Sequence, residues 1–382
     1  MTSSSYLAAK ADALESQDPV SPSQARAAQI PLQSFHLPTF PPEAFDAGLQ
    51  SLILTSDIKL DEYTTLLKTE KVEEESQKAF DVPDLPSSIN ALSLELFSLG
   101  YPAGFLTALG NKLPKLKSLT IYSQLFGGTT PASRDDALAF IDGQSSLQEL
   151  HLLDVFAPSG FFTSFASAVD PSLRFLEINY TYRHSDPQFL DTVPSKELAG
   201  FVENCPQLVG LTLSISAPDI TNDEDDREGT EIGVRLVEKE EDVSLIRKAL
   251  IENGPAHLFA LDLTMFMLKP SEVGSVLEAQ KDLRFLAFTV AIDTCDGLAE
   301  VVGILGMGTS LEVIEIVGVP GRKLVEKLKQ GKQLEFEEKQ LKCLAKRCKG
   351  LRSLKCSLLR TKVVEYTREG EDGELVKSGV EA

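Results

Sequence analysis

Apolar positions recur along this chain as a short motif, L-x-x-L-x-L. It reads "LQSLIL" at 49, "INALSL" at 89, "LKSLTI" at 116, "LQELHL" at 147 and "LRFLEI" at 173. It continues with "LVGLTL" at 208, "LFALDL" at 258, "LRFLAF" at 283, "LEVIEI" at 311 and "LRSLKC" at 351, with "LQSFHL" at 32 as a weaker relative. The last apolar pair of each copy alternates with a polar residue, the period of a strand with one buried face. Intervals between copies run from 25 to 50 residues. Several of them match the 20–29 of leucine-rich repeats.

Between the strand signals the period changes to that of a helix. "EDVSLIRKALIENG" puts Val243, Ile246 and Leu250 on one face and stops at Gly254, and "EKQLKCLAKRCKG" does the same with Leu341, Leu344, Ala345 and Cys348 before Gly350. "SRDDALAFI" carries Ser133 and, three residues on, Asp136, a capping-box arrangement at a helix start. In "SKELAGFVENC" the apolar positions are Leu198, Phe201, Val202 and Cys205, spaced i, i+3, i+4, i+7. Cys205 thus reads as the end of a buried helical face, as does Cys348; buried free cysteine behaves as a small hydrophobe. The Gly-rich "GILGMGTS" at 303–310 reads as the bend between a helix and the next strand.

A strand followed by a helix, many times over, predicts parallel strands joined by crossovers, each unit burying its apolar side on its neighbours. The expected fold is an α/β leucine-rich-repeat solenoid, an irregular horseshoe with a parallel sheet on its concave side and helices on its convex side. Residues 1–31, rich in Ser, Ala, Gln and Pro, form a flexible N-terminal segment in this reading. Residues 32–360 form the solenoid, and 361–382 a hairpin cap and tail, with "GEDG" as the turn.

"NCPQLVGLTL" and "RCKGLRSLKC" resemble the cysteine-containing leucine-rich repeats of fungal F-box-type proteins. In that family an N-terminal F-box docks a ubiquitin-ligase core, so the resemblance implies ubiquitin-ligase components as partners and a substrate-recognition adaptor role. "FHLPTFPPEAF" at 35–45 is similar to the start of an F-box, but neither the spaced apolar residues nor the late Trp follow. The F-box is read as absent, lost or diverged.

The chain of 382 residues has a net charge of −20, which opposes nucleic acid and anionic membranes. The charge is uneven. Residues 222–242 hold ten acids against three bases and overlap an acidic insertion at 219–240 that reads as a solvated loop; a second acidic stretch lies at 69–80. From Gly321 to Lys355 the balance reverses, with twelve Lys and Arg against four acids. No aromatic residues interleave with those bases, so no nucleic-acid stacking platform is predicted. No apolar run is long enough to span a membrane. With no secretory leader pattern, the five cysteines are expected as reduced thiols in the cytosol or nucleus.

Catalytic constellations are missing from the pattern: there is no C-x-x-C and no H-E-x-x-H, "GVPGRK" at 318–323 lacks the spacing of a phosphate loop, and the four histidines are scattered. No catalytic residue, metal ligand or cofactor is therefore assigned. The expected function is non-catalytic protein binding by a monomer, with a polar or basic peptide on the concave face; an enzyme hiding its site in the array is the reading from another class. In each motif the residue between the last two apolar positions points away from the core. That lane holds Ser93, Thr120, His151, Glu177, Thr212, Asp262, Ala287, Glu315 and Lys355. The candidate partner-binding set is Tyr122, His151, Phe175, Glu177, Asn179, Asp262, Phe285 and Glu315, with Glu177 and Asp262 as charge partners and Phe175, Tyr122 and Phe285 as anchors.

Overall fold

The computed structural model describes residues 27–32, 48–56, 82–95, 101, 103–122, 126–127, 130–155, 157–180, 193–215, 236–292, 297–321, 324–326, 330, 336–358, 362–369 and 373–378. These divide into two compact units, one reaching from residue 27 to Gln207 and the other comprising Leu208–Ser214 with the residues from 236 onward.

In the first unit the strands are β1 (Ala27–Leu32), β2 (Ser51–Ser56), β3 (Ala91–Glu95), β4 (Ser118–Tyr122), β5 (Glu149–Val155) and β6 (Phe175–Tyr180), adjacent in chain order. All pair in parallel. Helices α1 (Phe105–Lys112), α2 (Pro131–Asp142) and α3 (Phe161–Ala168) connect β3 through β6, and α4 (Ser195–Asn204) follows. Register puts the motif's leucines in continuous rows: Leu52, Leu92, Leu119, Leu150 and Leu176 in one, Leu54, Leu94, Ile121, Leu152 and Ile178 in the next. Every one of these side chains is buried. β1 precedes the expected start of the solenoid, in "AAQIPL" rather than in the motif at 32. Its Pro31 cannot donate to a ladder, which suits an edge strand. Residues 33–37 of that weaker motif lie outside the described residues.

The second unit repeats the scheme with β7 (Gly210–Ile215), β8 (Ala260–Leu268), β9 (Phe285–Ile292), β10 (Val313–Pro320) and β11 (Ser353–Leu358), again parallel where pairing is described. Helices α5 (Glu240–Lys248), α6 (Pro270–Ala279), α7 (Gly297–Leu305) and α8 (Glu338–Arg347) alternate with them, α5 running on as a π-helical turn over Ala249–Asn253. Leu211, Leu261, Leu286, Ile314 and Leu354 make the equivalent row. The array ends on two antiparallel strands, β12 (Lys362–Glu369) on β11 and β13 (Glu374–Lys377) on β12, with Gly373 at φ 63 in the turn. Each unit is thus an α/β leucine-rich-repeat solenoid. Most of the acidic insertion lies outside the described residues, but Val237, near its end, makes a parallel bridge to Phe266 beside β8.

The helix layer of the first unit is aromatic. Phe126 meets Phe165 edge-on at 5.5 Å between centroids, and Phe165 meets Phe201 at 5.7 Å. Its helix starts depart from the local capping rule. α1 and α3 begin after Gly104 (φ 87) and Gly160 (φ 79), left-handed positions that suit glycine and bring no side-chain cap. The orphan N–H groups are capped by the next repeat instead. Leu106 N and Thr107 N each donate to the Asp136 carboxylate of α2 at 3.0 Å. Gly160 N and Thr163 N donate to Glu197 of α4 at 2.7 and 3.2 Å. The capping box expected at Ser133 and Asp136 is therefore corrected: Thr130 is the N-cap of α2, accepting from Ser133 N at 3.1 Å, and Asp136 serves the neighbouring helix. In the second unit the Gln280 amide plays a related part, accepting from Leu258 N and donating to the carbonyls of Leu250 and Pro255.

Burial is the larger influence on the Asp136 carboxyl and raises its pKa, while hydrogen bonds from Thr107 and Leu106 pull it back. A raised value means that the folded protein holds this proton more tightly than the unfolded chain. The group's share of stability is greatest at low pH and falls as pH climbs through the carboxylate range. Asp136→Ala should cost about 1–3 kcal/mol by leaving two helix donors without an acceptor. Asp136→Asn keeps an acceptor, should cost less than the alanine, and should flatten this part of the pH dependence; denaturant melts between pH 4 and 8 check both.

Cys205 and Cys348 are fully buried, and the Cys348 thiol donates to Gly308 O at 3.2 Å. Burial pushes the Cys205 and Cys356 thiols up to about 12 and Cys348 to about 11. Cys343 is exposed on α8. In the native protein a maleimide should modify Cys343 readily and leave Cys205, Cys348 and Cys356 intact until the fold opens, which peptide mapping by mass spectrometry checks.

Candidate functional site

Alternation along the strands sends every second side chain to the face opposite the leucine rows. In the first unit this face carries two cross-strand rows. One runs Ala91, Ser118, Glu149, Phe175; the other runs Ser93, Thr120, His151, Glu177. The rows meet in a polar cluster. His151 Nδ1 lies 2.7 Å from Glu177 Oε2, and with Glu177 a carboxylate the ring nitrogen is the donor. His151 Nε2 is 3.7 Å from Glu149 Oε2, which also accepts from the Ser118 hydroxyl at 3.1 Å. His151 and Glu177 are only 7% and 6% exposed, so each depends on the other to satisfy a desolvated polar group.

A bulge follows at once. The pairing of β5 with β6 shifts between Leu152 and Val155, and Asp154 there adopts φ 55, a left-handed conformation that Asp tolerates better than most residues. Asp154 N donates to Asn179 Oδ1 at 3.4 Å. Beside the cluster, at the end of β4, Tyr122 is 53% exposed. Of the first unit's candidate residues, Tyr122 and the half-buried Asn179 are accessible, whereas His151 and Glu177 are buried. Phe175 is 2% exposed and gives its ring no surface to a partner, so it is not an anchor.

In the second unit the corresponding rows are Gly210, Ala260, Phe285, Val313, Ser353 and Thr212, Asp262, Ala287, Glu315, Lys355. Phe285 is fully buried in a cluster with Ala260 and Ala287, against Val313, and is likewise corrected from anchor to packing. Asp262 Oδ1 accepts from both the amide and the hydroxyl of Thr264, at 2.8 and 2.7 Å, which forms the turn that opens the bulge in β8. Asp262 is half-buried, and this bond is local to its own strand. Glu315 stands opposite Lys355, and Lys355 opposite Glu365, so the charges of this row alternate in sign across the strands. A lane read from the strand period alone could not show that an aspartate two residues before a threonine would bond to that threonine's amide.

Among the described residues no group of three or more His, Cys, Asp and Glu is placed to hold a metal ion, and no helix is long and apolar enough to cross a membrane. The segment that is similar to the start of an F-box, 35–45, lies outside the described residues. No family model matches the chain. No curated protein matches it either. Among solved structures it is similar to the leucine-rich repeat-containing protein LegL7 from Legionella pneumophila, at 14% identity over 92% of each chain with a TM-score of 0.44.

Removing the Glu177 carboxylate should expose the dependence of His151 on it. Glu177→Ala is expected to destabilise the protein by about 1–3 kcal/mol, since it leaves a buried ring nitrogen unsatisfied. The double variant with His151→Ala should cost less than the sum of the two single changes, as a double-mutant cycle of urea melts will measure.

Proposed function

We propose that this chain is a non-catalytic protein-interaction scaffold whose first unit presents the sheet face opposite its helices to a protein partner. The observation that carries the reading is the exposed ring of Tyr122 on the strand face that also holds the half-buried Glu149 and the buried pair His151 and Glu177. An amphipathic aromatic on a rigid strand offers contact area at small entropic loss, and such residues tend to dominate binding energy. The acids beneath it favour a basic or polar segment, and charges of this kind chiefly set association rate and selectivity. Solenoids of stacked repeats lend themselves to this use because each repeat adds one more strand to a continuous surface. The adaptor role in ubiquitin ligation has no described feature in its favour, and the scaffold reading stands without it.

The test starts with p-benzoylphenylalanine at position 122, photocrosslinked in native extract, and the captured protein is then purified. Its affinity for Tyr122→Ala should fall by about 2 kcal/mol or more, with the melting temperature of the variant unchanged. Equal binding to the wild type and to Tyr122→Ala would place the partner elsewhere and defeat the reading.

A further inference from the structure

Two bases of α8, Lys339 and Arg347, line a groove of their own on the helix side of the second unit. Helices α7 and α8 of the second unit enclose an open cavity of about 290 Å³. Ala299, Gly303 and Gly306 form one wall, at spacings of four and three residues, so no side chain larger than a methyl intrudes from that stripe. The opposite wall is Lys339, Cys343 and Arg347. Val302 and Leu344, both buried, make an apolar floor.

Three charged residues line the groove, and two of them, Lys339 and Arg347, are basic; the third is Glu337. Lys339 and Arg347 are exposed at the groove, and Lys346 and Lys349 are exposed nearby on the same helix and just past it. The acids of the helix start are engaged. Glu337 caps α8 through the backbone of Gln340, and Glu338 pairs with Lys342 at 2.6 Å. This positive surface belongs to the stretch 321–355, twelve bases against four acids, in a chain whose net charge is −20.

We propose that the groove between α7 and α8 is a second docking surface, for an acidic segment of a protein partner that inserts one or two apolar side chains. The chemistry selects this class. At about 290 Å³ the groove falls at or below the roughly 300–1,000 Å³ of small-molecule sites, enough for an apolar side chain or two. Lys339 and Arg347 flank that floor and match carboxylates on either side of the inserted residue. A long polyanion or an anionic membrane is opposed by the net charge of −20 on the whole chain. A short acidic peptide keeps its few charges within about 8 Å of the bases, the screening length at physiological salt. The groove is built from residues of the second unit alone and Tyr122 belongs to the first, so its assignment does not rest on that reading.

The test is a selection. Random 12-residue peptides displayed on phage are panned on the full chain and counter-panned on a Gly303→Leu, Lys339→Glu, Arg347→Glu variant. Gly303 is exposed and lines the groove, and a Cβ there meets no atom within 4 Å, so the position has room for a side chain to begin. Surviving peptides should be acidic with one or two large apolar residues. In a Cys295→Ser background, a synthetic copy should slow maleimide labelling of Cys343 at least tenfold. It should bind the triple variant at least tenfold more weakly, at an unchanged melting temperature, and bind Tyr122→Ala as it binds the wild type. The proposal is overturned if the survivors are neutral or basic, if none survives, or if Cys343 is labelled at the same rate with peptide bound. Groove-dependent retention of phosphatidylserine vesicles or of RNA would also overturn it, in favour of a membrane or nucleic-acid site.

Discussion

A strand of this chain can bury its leucines only against the leucines of its neighbour, because five or six residues have too little apolar surface to form a core alone. In-register parallel pairing is what makes that possible. Leu119 meets Leu92 on one side and Leu150 on the other, and a slip of one residue would send each of them to the opposite face. Fully burying a leucine is worth about 1.5–3 kcal/mol, so the row enforces the register far more strongly than the backbone ladder does. The helices, the caps and the exposed Tyr122 all take their positions from it.

The same constraint explains which parts of the architecture were legible beforehand. Strand and helix periods need only local sequence, so the faces at Val243, Ile246 and Leu250, at Leu198, Phe201 and Val202, and at Leu341 and Leu344 could be read directly, and all are buried. The cysteines followed by the same logic, since Cys205 and Cys348 fall where each helix meets the next leucine. β1 was harder: "AAQIPL" offers one strong apolar residue before a proline, and the pairing of Ala28 with Leu52 is a property of its neighbour.

The polar face was less legible, for a different reason. Period two separates the two sides of a strand but says nothing about what lies over each side. Phe175 and Phe285 fall on the polar side by parity and are nonetheless buried. Asp262 also falls there, yet its carboxylate turns to the Thr264 amide, a bond set by a bulge that no alternation predicts. Asp136 has the spacing of a local capping box, and its true partners lie 30 and 29 residues away. Contacts of this kind, the pairing of His151 with Glu177 among them, are set by neighbouring strands and not by local sequence.

The carboxylates that reach from one repeat to the start of the previous helix bear on how the first unit comes apart. A helix capped by its own residues can persist after its neighbour has left. α1 cannot, because its first turn is satisfied by α2, and α3 is bound to α4 in the same way. Detaching one repeat therefore frays the helix before it as well as exposing its leucines. In a one-dimensional array this raises the nearest-neighbour coupling relative to the intrinsic stability of each repeat. Such an array resists peeling from within and yields in blocks of repeats, so thermal fluctuations rarely open a single strand on which an intruding chain could pair.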